Sequence, residues 1–433
     1  MQEKQKINIV WFKNDLRTKD QISLFKASQE DLPFIALYIF DEDFYQKKQF
    51  GFRKIGKFRA KFLLESIQNL QHNLAELNIP FLIKFVKTKE IFEKINEHYS
   101  IQKIFCEEEF TQEEIDVEKG VSSVLPHVKF EKSYSQFLLE PDFVFERLEK
   151  IPALFTTFRN KVEKNFSVRK PFKIEKKETF FKLEIPSDKI DLEKLGFENF
   201  KTHPHSAFPF SGGENAAWER LHYYFEETQL LKDYKNTRNG LVGSDYSSKF
   251  SAWLANGSIS AVSIYDEVKK FEQKFGANES TYWLIFELLW RDYFKFIALQ
   301  HRNEIFHKNG LQPYKNLEFQ HNPQKLEQWI SGKTHSEFVN ANMIELQKTG
   351  FMSNRGRQNV ASYFCKNLKL DWRIGAAYFE EMLIDYDVHS NYGNWLYLAG
   401  IGNDSRDRSF NTEKQAEQYD SDKKFRNLWL KNH

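Results

Sequence analysis

The first 140 residues alternate short runs rich in β-branched and aromatic residues with stretches of helical period, and from about Gly212 the helical period takes over. Strand-like runs are Ile7–Phe12, Phe34–Phe40, Phe81–Val86, Ile101–Cys106 and Val128–Phe130, with helix-like stretches at Arg53–Leu77, Lys89–Tyr99 and Gln112–Val124. That spacing predicts a parallel, Rossmann-like α/β sheet covered by helices. The C-terminal half predicts an all-α domain with its own core, and 433 residues are too many for one ordinary core. The expected division is an α/β domain over 1–137, a connector over 138–211 punctuated by Pro186, Pro204 and Pro209, and a helical domain over 212–433. The lysines of Lys161–Lys182 read as a solvated connector, with contact to a phosphate backbone as the alternative.

Several classes drop out early. No G-x-G-x-x-G follows any of the strands, so the sheet lacks a dinucleotide fingerprint. Two cysteines, Cys106 and Cys365, make neither a disulfide framework nor an all-thiolate iron–sulfur cluster, and no metal site is expected. No apolar region follows the charged N-terminus, and no run of 18 apolar residues occurs, which predicts a cytoplasmic, non-membrane protein, read as a monomer. A net charge of +2 neither demands nor excludes nucleic acid.

The segment Phe351–Asp404 is where chemistry concentrates. It holds Asn354, Arg355 and Arg357 ahead of a helix ending near Asn367, with Gln358 beside them, then Trp372, Asp385-Tyr386-Asp387, Asn391 and Trp395. So many polar groups in a segment patterned for burial need partners, and a flat hydrogen-bonding cofactor supplies them. Two further groups stand out. Glu287, Trp290 and Arg291 share one helix face, either as an ordinary intrahelical ion pair beside a core tryptophan or as a site. Ser247, Ser248, Lys249, Phe250 and Ser251 precede a helix, either as a plain cap or as a phosphate cradle.

These motifs resemble the photolyase/cryptochrome family, specifically its DASH-type branch. The matching stretches are Trp11–Arg17, Tyr234–Gly240, Tyr282–Tyr293, Thr349–Asn359 and Asn391–Trp395, in the family's order along nearly the whole chain. The resemblance implies an α/β antenna domain joined to a helical domain holding FAD. By it, Tyr234 and Ser247 through Ser251 would hold the phosphates and ribityl chain, and Arg291 would touch the cofactor. Arg357 with Asp385 would pair against the ring system, Tyr386 and Asp387 would border it, and Asn391 would face its N5.

It further implies light-driven splitting of cyclobutane pyrimidine dimers in DNA by an electron from reduced FAD. Glu287, Asn354, Trp290, Gln358 and Tyr397 would contact the flipped-out lesion. Gln358 and Tyr397 replace the methionine and second tryptophan of double-strand photolyases, which points to single-stranded DNA. Histidines typical of (6-4) photolyases are absent at positions 354 and 358. Trp395 and Trp372 match the first two members of the photoreduction chain, whereas the third position falls on Phe319, with Tyr314 or Trp329 as substitutes. Glu109 falls where the branch contacts a folate antenna (5,10-methenyltetrahydrofolate); a solvent-facing acid in the run Glu107–Glu109 is the alternative. The rival function is a blue-light receptor that uses the same FAD and repairs nothing, and Glu287 and Asn391 argue for the enzyme.

Overall fold

In the computed structural model, which describes residues 4–164, 167–178, 181–315, 317–404, 406 and 408–431, the N-terminal strands form one parallel sheet. They are β1 (Lys6–Phe12), β2 (Phe34–Phe40), β3 (Phe81–Phe85), β4 (Ser100–Glu107) and β5 (Lys129–Ser133), in the order β3-β2-β1-β4-β5. Every residue of β1 after Lys6 is buried, because helices cover both faces of a parallel sheet. Ile7, Ile9 and Trp11 enter one apolar layer while Val10 and Phe12 enter the other, as a two-residue side-chain period requires.

The sheet's longest helix, α1 (Lys57–Glu76), starts later than the sequence pattern suggests, because Phe52–Arg53 pairs antiparallel with Lys48–Gln49. Gly56 precedes it, and a Cβ there would strike the Glu381 carbonyl, so glycine lets the two domains meet backbone to backbone.

The helical domain is built around α2 (Glu279–His301), capped by an Asn278/Thr281 capping box. Next come α3 (Glu337–Thr349), ended by Gly350 at φ +70°, and α4 (Asn354–Ser362), which runs into a wide turn over Tyr363–Asn367. The last two needed here are α5 (Trp372–Met382) and α6 (Val388–Ala399). Asn354, Arg355 and Arg357 therefore lie inside the first turn of a helix and not ahead of it, because Ser353 takes the cap position and accepts the Gly356 N–H at 3.0 Å.

The stretch read as a connector begins as core. It contains helices Pro141–Arg147 and Phe155–Glu163, and Leu138, Leu139, Val144 and Phe158 pack in one cluster with Tyr293 and Phe296 of α2. Residues 165, 166, 179 and 180 of the lysine-rich run lie outside the described residues. Among the described residues no helix is long and apolar enough to cross a membrane.

Candidate functional site

Helices α4, α5 and α6 converge on an open cleft of about 510 Å³. Its lining includes Asn354, Arg357, Gln358, Phe379, Asp385, Tyr386, Asp387, Asn391, Asn394 and Trp395, so eight of the residues expected from the sequence meet in one place. The α5–α6 loop supplies the acids. Arg357 Nη2 sits 2.9 Å from both carboxylate oxygens of buried Asp385, and Arg357 Nε donates to the Met352 carbonyl at 2.9 Å. Arg59 of α1 reaches across the domain boundary and lies over the Tyr386 ring, 4.6 Å from its centroid.

Asn391 is set by its own helix packing. Its Nδ2 donates to the Ala376 carbonyl of α5 at 3.1 Å, which leaves the amide oxygen as the acceptor available to the cleft. Asp387 caps α6, its Oδ1 accepting the Ser390 N–H at 2.8 Å, and its Oδ2 lies 2.9 Å from Lys295 Nζ. Burial alone would raise the Asp387 carboxyl, but the Lys295 ammonium, with His389 and Arg291 behind it, holds it well below the usual range. Burial and the same ammonium push the His389 imidazole down to about 4.

Trp395 is buried against Phe379 and Phe364, at centroid distances of 5.2 and 5.6 Å, in a gap that a Cβ on Gly375 would close. Trp372 is buried one turn before Gly375 on α5 and donates to the Lys308 carbonyl at 3.0 Å. Beyond it the sequence expectation divides. Phe319 is half-buried beneath the Lys308 ammonium, Tyr314 is fully exposed, and Trp329 is fully buried 6.4 Å from Trp395. Trp329 thus extends the aromatic cluster inward, away from solvent.

Glu287 does not form the intrahelical ion pair. It pairs not with Arg291 but with Arg238, at 2.6 Å. Arg291 instead donates to the backbone carbonyls of Gln136 and, at 3.0 Å, Leu254, outside the cleft lining. Trp290 stacks on Phe155 at 3.7 Å, and Tyr397 carries the Arg408 guanidinium 4.6 Å above its ring. A polar rim joins these parts: Arg238 holds Glu287, and its neighbour Asn239 accepts from Arg355 at 3.1 Å, which donates to Gln358 at 2.9 Å. Tyr234 is buried beside Arg238 and Glu287.

The loop Ser247–Ser251 is organised by Arg220, which the motif reading passed over. Its guanidinium donates to the carbonyls of Ser247 and Ser248 at 3.1 and 3.2 Å and pairs with Asp245 at 2.8 Å. Lys249 stands at φ +65° with its Nζ buried 3.2 Å from the Tyr246 ring centroid and without a hydrogen-bond partner; the Tyr246 hydroxyl is likewise unmatched. Burial depresses Lys249. Unmatched buried donors beside a cleft with an ion pair, an amide oxygen and aromatic walls suit a ligand carrying phosphate and hydroxyl oxygens as well as a heterocycle. FAD has both, and these residues fit it.

Behind them Glu345 is buried, and its carboxyl is pushed up to about 8, with Lys249 and Arg357 opposing. A folded-state value above the unfolded one means stability is lost as pH rises from the unfolded value toward 8. Glu345→Gln is therefore expected to leave the apoprotein's melting temperature nearly unchanged at pH 4.5 and to raise it increasingly up to pH 8, as differential scanning fluorimetry at several pH values would show.

Glu109 does not face solvent. It is buried after β4 with one carboxylate oxygen unmatched, and burial holds its carboxyl well above the usual range. The solvent-facing alternative therefore fails for Glu109, and Glu107 also turns inward, where it accepts the Ser135 N–H at 2.9 Å.

Comparison with known proteins agrees with this geometry. Residues 8–176 match the family model described as DNA photolyase, and residues 283–432 match the FAD binding domain of DNA photolyase. The chain is 43% identical to a cryptochrome DASH of Gloeobacter violaceus, over 98% of this chain and 85% of that relative. This chain belongs to the photolyase/cryptochrome family, in its DASH branch. The cryptochrome DASH of Xenopus laevis is 42% identical over 98% of this chain and 82% of its own length. The solved Synechocystis cryptochrome superposes with a TM-score of 0.93 at 42% identity, covering 99% of this chain and 89% of that one. As a member of this family the chain carries an FAD-binding domain, and the cleft of α4, α5 and α6 lies within the matched residues.

Proposed function

We propose that the chain is a light-driven, FAD-dependent lyase of cyclobutane pyrimidine dimers that prefers single-stranded DNA. The observation that carries this reading is the polar rim running from Glu287 through Arg238, Asn239 and Arg355 to Gln358 at the cleft. It sets a carboxylate and an amide, joined by guanidinium groups, where a pyrimidine edge can be hydrogen-bonded. The flavin, when bound, supplies light absorption and the electron. The chain's own residues do the rest. Arg357 and Asp385 would hold the ring system, Asp387 would offer an acceptor to its polar edge, and the Asn391 amide oxygen would offer an acceptor that adds no charge. Trp395 and Trp372 stand ready for photoreduction.

Tyr397 and Gln358 in place of bulkier contacts weaken stacking on the lesion, so a base already free of its partner strand is favoured. Turning a paired dimer out costs roughly a few kcal/mol that a single strand largely avoids. The folate antenna is proposed at Glu109, whose buried unmatched oxygen suits an N–H donor of a pterin. Cytoplasmic, monomeric operation is part of the same reading.

The test is illumination of the reduced protein with dimer-containing single- and double-stranded oligonucleotides, following dimer loss by chromatography. Faster loss from the single strand is expected. Loss from neither, with reduced FAD bound, would leave the blue-light receptor as the better reading.

A further inference from the structure

Lys295 sits on α2 between Phe294 and Phe296, and its side chain is wholly buried. Its ammonium reaches three acceptors from two parts of the chain. Asp387 Oδ2 lies at 2.9 Å, Gln136 Oε1 at 2.8 Å and His389 Nδ1 at 3.1 Å. An ammonium has three donors and no acceptor, so this arrangement saturates it. It also fixes its neighbours. His389 Nδ1 must accept, so the imidazole is neutral with its proton on Nε2. Asp387 receives donors on both oxygens, from the Ser390 N–H and from Lys295, while its carboxylate still borders the cleft.

We propose that Lys295 is a positioning residue that keeps Asp387 ionised and oriented, so that the cleft offers the cofactor's ring edge an acceptor and not a proton. The inference concerns the flavin cleft and stands whether or not the chain repairs DNA. The titratable and charged groups facing this cluster are Arg291 and Asp292 on the same helix and Glu109 from the α/β domain, together with His389 at the start of α6. Without the ammonium, a buried carboxylate between a neutral imidazole and an apolar helix would take up a proton. Loss of the ammonium removes one of the causes that hold the imidazole neutral, but burial, the largest, still opposes its taking over the charge.

The test compares Lys295→Met, Asp387→Asn and the double variant with the parent chain, as apoprotein and with FAD. Infrared spectra of the Lys295→Met apoprotein at neutral pH should gain protonated-carboxyl absorption beyond that of the parent, where Glu345 and Glu109 already contribute, and adding Asp387→Asn should remove the gain. FAD should dissociate about tenfold more readily from Lys295→Met, the scale of one hydrogen bond to a charged group. Adding Lys295→Met to Asp387→Asn should cost far less than that, because the charge it serves is gone. Should Lys295→Met fail to fold while the double variant folds, the same conclusion follows. No gain in that absorption, additive effects on FAD affinity, or failure of both variants to fold would overturn the proposal, since each marks the lysine stem as packing and nothing more.

Discussion

Arg357→Leu is expected to give a folded chain that no longer retains FAD through gel filtration. The reason lies in what the substitution leaves behind. Asp385 is buried with both carboxylate oxygens 2.9 Å from the same Arg357 nitrogen. Removing one partner of such a pair costs about 3–5 kcal/mol, because the other charge stays buried and uncompensated. The chain escapes that cost by protonating Asp385 or opening the α5–α6 loop, and either removes the polar wall that a heterocycle would meet. If about 3 kcal/mol of this falls on cofactor binding, affinity drops roughly a hundredfold. Arg357→Leu combined with Asp385→Leu should recover thermal stability but not FAD, which separates the ion pair's structural effect from its ligand contact. The ratio of flavin to protein absorbance after gel filtration reads the outcome, with circular dichroism as the folding check. A full flavin complement in Arg357→Leu would remove the pair from the cofactor site.

What the sequence made legible follows from the range over which each signal acts. Gln112–Val124 was placed to the residue because apolar period and strand spacing are local. Residues 138–163 were misread because prolines and lysines further along coloured the whole stretch, although Leu138, Leu139, Val144 and Phe158 belong to the helical core. Eight cleft residues were found through motifs, which carry spatial information that periodicity does not. Motifs say less about pairing. Glu287 suggested Arg291, four residues on, and found Arg238 instead, because α2 packs against the short helix Tyr234–Thr237. Arg220 and Lys295 were passed over entirely, since their partners lie tens to more than a hundred residues away. One signal for Lys295 was present: an ionisable residue flanked by Phe294 and Phe296 on an apolar helix needs a buried partner.

Glu287→Ala should lower the yield of dimer splitting while leaving FAD content unchanged. Glu287 stands outside the cleft lining, on the rim, so Arg357, Asp385 and Asn391, the cleft residues proposed to hold the flavin, are left in place by its loss. Burial raises its carboxyl, and Arg238 works against that, keeping an acceptor in place. A pyrimidine edge donating to this carboxylate would gain about 1.5–3 kcal/mol, the range for a hydrogen bond to a charged group. Loss of roughly tenfold or more in lesion affinity or splitting efficiency follows. Arg238, left without its acid, would turn to solvent, so the fold should be little affected. Glu287→Gln keeps one acceptor and should fall between the parent and Glu287→Ala. Single-turnover illumination with saturating single-stranded substrate separates the two effects: a lost contact in binding alone is overcome by saturation, whereas a contact needed during splitting is not. An unchanged yield and unchanged affinity in Glu287→Ala would assign the residue to structure, as the acid that anchors Arg238 and nothing further.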